Sequence, residues 1–274
     1  MAYHAALHNT WTLCEPATPL VEQLRKLDWP LKDKGPAPRI SRAVYINLDW
    51  DKARRAYMEE QLDAAGASGS PGFAVERLRA VPAADVKSNA SFAEFRARGL
   101  SRQPYPAMAD GWRTAAVEFS HESIIERIHQ HADVLRRSNE VWLILEDDAA
   151  VPPDLRGRWE RLWPYVPGRW DVVRLGWFGA EKCEAQVNEY IDLALWADPP
   201  PHGPCEYCGS QAYIVNPARA GRVLDRLRRS RLYFVDSLLG AETPPLEDRA
   251  KVPWLSVFVT RPRMITQNES FASD

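Results

Sequence analysis

Apolar residues recur along the chain in two rhythms. Short unbroken runs appear at Ala43–Leu48, Trp170–Gly176, Gly209–Val215 and Trp254–Thr260, and the densest is Val141-Trp142-Leu143-Ile144-Leu145. Runs of this length, rich in β-branched and aromatic residues, predict strands buried on both faces. Phe73–Val81 holds a further short strand. Elsewhere the spacing is helical. Val117, His121, Ile124, Ile125, Ile128, Ala132 and Leu135 form one stripe within Thr114–Arg137, the strongest predicted helix. Asp51–Ala65, N-capped by Asp49 and stopped by Gly66, is another, and Leu155–Tyr165 a third. Asn216-Pro217 opens a fourth, with Ala220, Val223, Leu224 and Leu227 inward and Arg222, Arg226, Arg228 and Arg229 mostly outward. Strands alternating with helices predict an α/β fold, with a mainly parallel central sheet covered by helices on both faces.

The pattern also divides the chain. Residues 1–38 are interrupted by Pro16, Pro19, Pro30, Pro36 and Pro38, and predict an N-terminal arm laid against a single domain spanning 39–274, or a partly mobile lead-in to it. Ala83–Met108 has no sustained period and is expected to be a loop with a short helix near Phe92–Arg98. Residues 177–208 are Pro-rich and irregular.

Composition narrows the function classes. The 274 residues carry a net charge of only -2, which gives no electrostatic footprint for nucleic acid. No apolar run reaches the length of a transmembrane segment, and no basic-then-apolar leader opens the chain. The expectation is a soluble, cytoplasmic protein. Peripheral membrane contact stays open, although the one arginine-dense segment, Arg222–Arg231, suits a solvated helix face better. The 11 Trp residues suit core packing first and sugar stacking second. Four Cys do not make a disulfide framework. His202, Cys205 and Cys208 invite a zinc reading, but only the distant Cys183 offers a further ligand, so incidental thiols fit better.

The chemistry concentrates where the central run ends. Glu146, Asp147 and Asp148 follow Leu145 with no spacer. In an extended chain Glu146 and Asp148 would leave on one face and Asp147 on the other, two acids about 6–7 Å apart at Cα. That arrangement suits a hard divalent cation, and strand ends are where open α/β sheets bind ligands. The plain alternatives are solvated loop acids or caps for the next helix. Arg54 sits early in the helix after Ala43–Leu48, near enough to a strand end to meet a diphosphate, although a solvated basic face beside Glu59 and Glu60 is the simpler account. Asp236 follows the apolar Tyr233-Phe234-Val235. His121 lies on the apolar stripe and is expected to be a buried histidine bonded to nearby backbone or a Ser. These features suggest an enzyme for an anionic, nucleotide-bearing substrate with a divalent metal. They do not choose between phosphoryl and glycosyl transfer.

A series of motifs is more specific. Val44-Tyr45-Ile46-Asn47-Leu48 with Arg54, Phe119-Ser120-His121, and Leu145-Glu146-Asp147-Asp148-Ala149 resemble glycosyltransferase family 25, which includes lipooligosaccharide and collagen galactosyltransferases. Asp171–Gly176, Gly209–Val215 with Ala220, Val235-Asp236, and Pro262–Gln267 with Ser270 follow in the family's order. The likeness runs from about residue 40 to the end. Ala116-Val117-Glu118-Phe119 depart from the small residue and Cys that often precede the family's Ser-His pair, and the arm and the 196–208 loop have no counterpart.

The resemblance implies a GT-A-type, Rossmann-like single domain that moves a hexose, galactose or glucose, from a UDP-sugar with inversion. It implies Mn2+ or Mg2+ on Asp148 and Glu146. Asn47, Arg54, Glu146, Asp147 and Gln267 would contact the donor, and Asp236 would be the base on the acceptor hydroxyl or, equally, a helix cap or further metal-shell acid. His121 would orient the site without moving a proton. The acceptor class, whether saccharide, glycolipid, protein or small molecule, does not carry over, so a role in lipopolysaccharide biosynthesis is an expectation only. A non-catalytic sugar- or partner-binding relative, and a metal-dependent phosphohydrolase or nucleotidyltransferase, are the competing classes. The latter lacks a phosphate-cradling Gly-rich loop.

Overall fold

The computed structural model describes residues 19–69, 72–93, 111–179, 185–194, 208–229 and 255–271. A short helix, α1 (Pro19–Arg25), precedes the first strand, β1 (Arg39–Asn47). Next come α2 (Lys52–Ala64), β2 (Ala74–Arg79) and α3 (Ala83–Ser88). The long helical stretch is two helices, α4 (Gly111–Gln130) and α5 (Ala132–Arg137), separated at His131. Strands β3 (Glu140–Glu146) and β4 (Ala149–Ala150) lead to α6 (Leu155–Leu162) and β5 (Val172–Phe178). Then follow β6 (Ile191–Leu193), β7 (Cys208–Val215), α7 (Ala220–Arg229), β8 (Val257–Thr260) and β9 (Thr266–Gln267).

The central sheet is mostly parallel, in the order β2-β1-β3-β7-β5-β8-β6. β1 pairs in parallel with both β2 and β3, and β5 with β8. β7 runs antiparallel between β3 and β5, and β6 runs antiparallel to β8 at the edge. An apolar run says that a strand is buried but not which way it points, so the reversal of β7 is a tertiary fact. One apolar core joins the sheet to α2, α4, α6 and α7, with Val44, Leu143, Ile144, Val173 and Ile214 fully buried. Trp142, Trp159, Trp163, Trp170 and Trp177 lie within it, whereas Trp50 is 66 % exposed. Packing therefore accounts for most of the described tryptophans.

Several local expectations change. Asp51, not Asp49, caps α2, its side chain accepting from the Arg54 N–H, while Asp49 pairs with Arg77 and Arg79 of β2. Gly66, at φ 95, ends that helical segment as expected, because a positive φ is cheap for glycine. The buried face of α4 is wider than its apolar stripe. Val117 is exposed, and Glu118, Ser120 and Glu122 are buried. Ser120 accepts from the Val81 N–H, and Glu122 accepts from Arg228 of α7 at 2.7 Å, so polar pairing brings that face inside. Arg226, expected on the outer face of α7, is also buried.

The described part of the lead-in, 19–38, lies against the body of the chain. Val21 is fully buried, the Leu31 N–H donates to the Pro164 carbonyl, and the Trp159 indole donates to that of Pro38. The predicted helix near Phe92–Arg98 falls mostly outside the described residues; the expected loop opens instead with α3, and a 3-10 turn spans Ala90–Phe92. No helix among the described residues is long and apolar enough to cross a membrane.

Candidate functional site

The parallel pairing of β1 and β3 builds the site. Ile46 lies opposite Glu146, so Asn47 and Asp147 emerge together at the carboxyl ends of neighbouring strands. The chain turns at Asp147 and Asp148 before β4, and does not continue extended. The triplet therefore fans out, and simple alternation does not describe where the three carboxylates go. Each meets a different set of partners.

Asp147 accepts from the Asn47 amide at 2.8 Å and from the Arg54 guanidinium at 3.1 Å. Asn47 is spoken for on both sides. It also donates to the Asp51 carbonyl, and its own oxygen accepts from Arg77 Nε at 3.0 Å. Arg54 does not spread onto a solvated face. It approaches Asp51 at 3.2 Å, Asp147 at 3.1 Å and Asp148 at 3.7 Å, and donates to the Phe271 carbonyl. Burial disfavours the Arg54 charge, but the surrounding acids outweigh it and hold the group above its usual value. At Asp147 burial prevails and raises the carboxyl, since Asp147 has one cation where Arg54 gathers three anions.

Asp148 faces the C-terminal segment. β9 pairs with β4, Gln267 opposite Ala149, and this registers the Gln267 amide 2.7 Å from Asp148 Oδ2. The Asn268 N–H donates to the Asp148 carbonyl. Gly176 lets this segment in. A Cβ there would lie 2.9 Å from the Ile265 carbonyl oxygen, a close backbone approach that a strand glycine permits. Asp148 is buried, and its Oδ1 has no hydrogen-bond partner. Burial, then the negative charge of Glu146, pushes its carboxyl up to about 6.

Glu146 turns toward α4 and β7. The Ser210 hydroxyl donates to its Oε1, and His121 Nε2 lies 3.5 Å from the same oxygen. Burial opposes its ionisation, but His121, Ser210 and the Arg174 charge outweigh burial and keep the carboxyl below its usual range. His121 is fully buried, as its place on the stripe predicts, but its partners are Tyr213 and Glu146 and not backbone or a Ser.

The site thus unites Asn47, Arg54, Glu146, Asp147, Asp148 and Gln267. Asp236, His202 and Cys205 fall outside the described residues. Sequence reasoning misses Ser210, Tyr213 and the capping role of Asp51. Tyr213 sits in a run that reads as plain core, and nothing local marks its hydroxyl.

The donor set suits a hard cation in one respect. Asp148 Oδ1 is an anionic oxygen left without a partner, next to a second carboxylate. No group of three or more His, Cys, Asp or Glu side chains among the described residues could hold a metal. A Mg2+-like ion needs only one or two carboxylates when phosphates and waters complete its shell. Asp147 is committed to Arg54, which leaves Asp148 and Glu146 as the candidates. No protein-family model matches the chain, and no curated protein does.

Proposed function

We propose that this chain is a metal-dependent glycosyltransferase of the GT-A type, moving galactose or glucose from a UDP-sugar to a hydroxyl of a saccharide or other acceptor, with inversion. The observation that carries the reading is the unpartnered, buried Asp148 Oδ1, which lies among Glu146, Gln267 and Arg54 where β3 ends. A buried anionic oxygen without a donor costs stability and calls for a cation from outside.

In this reading Asp148 would hold Mn2+ or Mg2+ with Glu146 beside it, and the positive charge so bound would offset the negative charge of the departing nucleoside diphosphate. The chain's own residues do the rest. Asn47 and Arg54 fix Asp147, whose remaining lone pairs suit a ribose hydroxyl. Gln267 holds Asp148 by Oδ2, which would leave Oδ1 for the ion. Asp236 is the proposed base that takes the acceptor's proton. The cytoplasm is the proposed location.

Calorimetric titration of UDP-galactose and UDP-glucose, each with and without Mn2+, tests the reading. Metal-dependent binding by the wild type, lost in Asp148→Asn with the fold retained, is the expected result. Undiminished binding in Asp148→Asn sinks the metal assignment. No binding of either sugar nucleotide by the wild type sinks the transferase reading.

A further inference from the structure

We propose that His121 and Tyr213 are positioning residues that hold Glu146 by one oxygen, with the Nε2–H tautomer of His121 facing that carboxylate, so that its other oxygen is kept for the substrate side. The inference rests on the proposed transferase function for its consequence, but not for its geometry.

The chain of contacts starts in the core. Tyr213, on β7, is fully buried, and its hydroxyl lies 2.8 Å from His121 Nδ1. The two rings stack, 5.6 Å between centroids and 25° between planes. Burial, with the negative charge of Glu146, keeps the phenol protonated well above its ordinary value. It therefore has a hydrogen to give. If it gives that hydrogen to Nδ1, a neutral imidazole carries its own proton on Nε2. That tautomer presents an N–H toward Glu146 Oε1, 3.5 Å away. The remaining tautomer would turn a bare nitrogen lone pair of the fully buried His121 toward a carboxylate oxygen, acceptor against acceptor.

His121 Nε2 is itself buried without a hydrogen-bond partner. An apolar residue at this stripe position would fill the space without stranding a nitrogen. The nitrogen is aimed at an acid of the candidate site, and Ser210 donates to the same oxygen from β7. Oε1 thus takes a donor from the sheet and faces another on α4, while the Glu146 side chain keeps 30 % of its exposure. A carboxylate held in this way has one oxygen bound by the fold and one free to meet a ligand in a set direction.

The spectroscopic test needs no ligand. Imidazole 15N shifts of the histidine-labelled protein, with His121 assigned by its loss in His121→Gln, should show a protonated Nε2. A bare Nε2 with the proton on Nδ1 overturns the proposal. The functional arm uses UDP-galactose with Mn2+. A glutamine amide can place a donor where Nε2 stands, so His121→Gln should bind within about threefold of wild type, whereas His121→Leu should lose about tenfold or more, the value of a hydrogen bond to a charged group. Tyr213→Phe keeps the ring, removes the hydroxyl and should shift the His121 nitrogen signals. Equal affinities for the leucine and glutamine variants overturn the proposal. If the wild type binds no UDP-sugar, the transferase reading fails, and the nitrogen spectrum still decides the tautomer.

Discussion

Removing Arg54 should expose how the acid cluster is balanced. In Arg54→Met the aliphatic stem is largely kept, so packing changes little. What is lost is the cation 3.1 Å from Asp147, 3.2 Å from Asp51 and 3.7 Å from Asp148, together with the bond to the Phe271 carbonyl. Stripping one partner from a fully buried ion pair costs roughly 3–5 kcal/mol, since the other charge stays behind unpaired. Arg54 and Asp147 keep 21 % and 15 % of their side-chain exposure, so water recovers part of the loss. A cost of about 2–4 kcal/mol follows. Asp147→Asn alone should cost less, because Asn47 can still donate to the remaining carbonyl oxygen. With both changes made, the stranded charge is gone. A double-mutant cycle by urea denaturation should therefore return a coupling of about 1–3 kcal/mol, with unchanged m-values. A coupling below about 0.5 kcal/mol would mean that Arg54 and Asp147 act independently, and that this cation does not hold the acids in balance.

Other consequences can be checked separately. Gly176→Ala would press a Cβ to 2.9 Å from both Gln211 Cγ and the Ile265 carbonyl. It should cost about 1–3 kcal/mol, and an unaltered melting temperature would refute the close approach. Lys34 donates to the Trp163 and Val166 carbonyls, and burial pushes its ammonium down to about 7 from an ordinary 10.5. Between those values the unfolded chain binds more protons there, so this group makes stability rise with pH from about 7 upward. The wild type should therefore gain on Lys34→Met between pH 7 and pH 9; a difference that does not move with pH would count against it. Trp159→Ala removes a buried indole that donates to the Pro38 carbonyl, and should cost about 3–5 kcal/mol in denaturant unfolding. A loss under about 1 kcal/mol would show that the 19–38 segment does not depend on it.

The apolar runs at 43–48, 141–145 and 209–215 were legible as strands because buried strands are locally apolar, and each lies in the sheet within a few residues of its expected place. β6 was not legible. Its three residues are too few to make a pattern within a Pro-rich stretch. The cap of α2 lies two residues beyond its expected place because Asp49 and Asp51 are chemically alike. What separates them is Arg77 and Arg79 on β2, which draw Asp49 away. Arg54 beside Glu59 and Glu60 reads as a solvated face for a similar reason. The sequence shows neighbours on the helix, but not the acids arriving from β3.

Strands β1, β2, β3, β5, β7 and β8, helices α2, α4, α6 and α7, and the arrival of three carboxylates at one strand end can therefore be read from the chain alone. Local periodicity and composition encode these, because burial and backbone preference act over a few residues. Which partner each acid meets comes from the folded arrangement: Asn47 and Arg54 for Asp147, Gln267 for Asp148, Ser210 and His121 for Glu146. Those partners come from elements far apart in the chain. Hydrogen bonds and charge pairing act over a few ångströms in space, and the sheet register that brings the groups together is set by packing across the whole core.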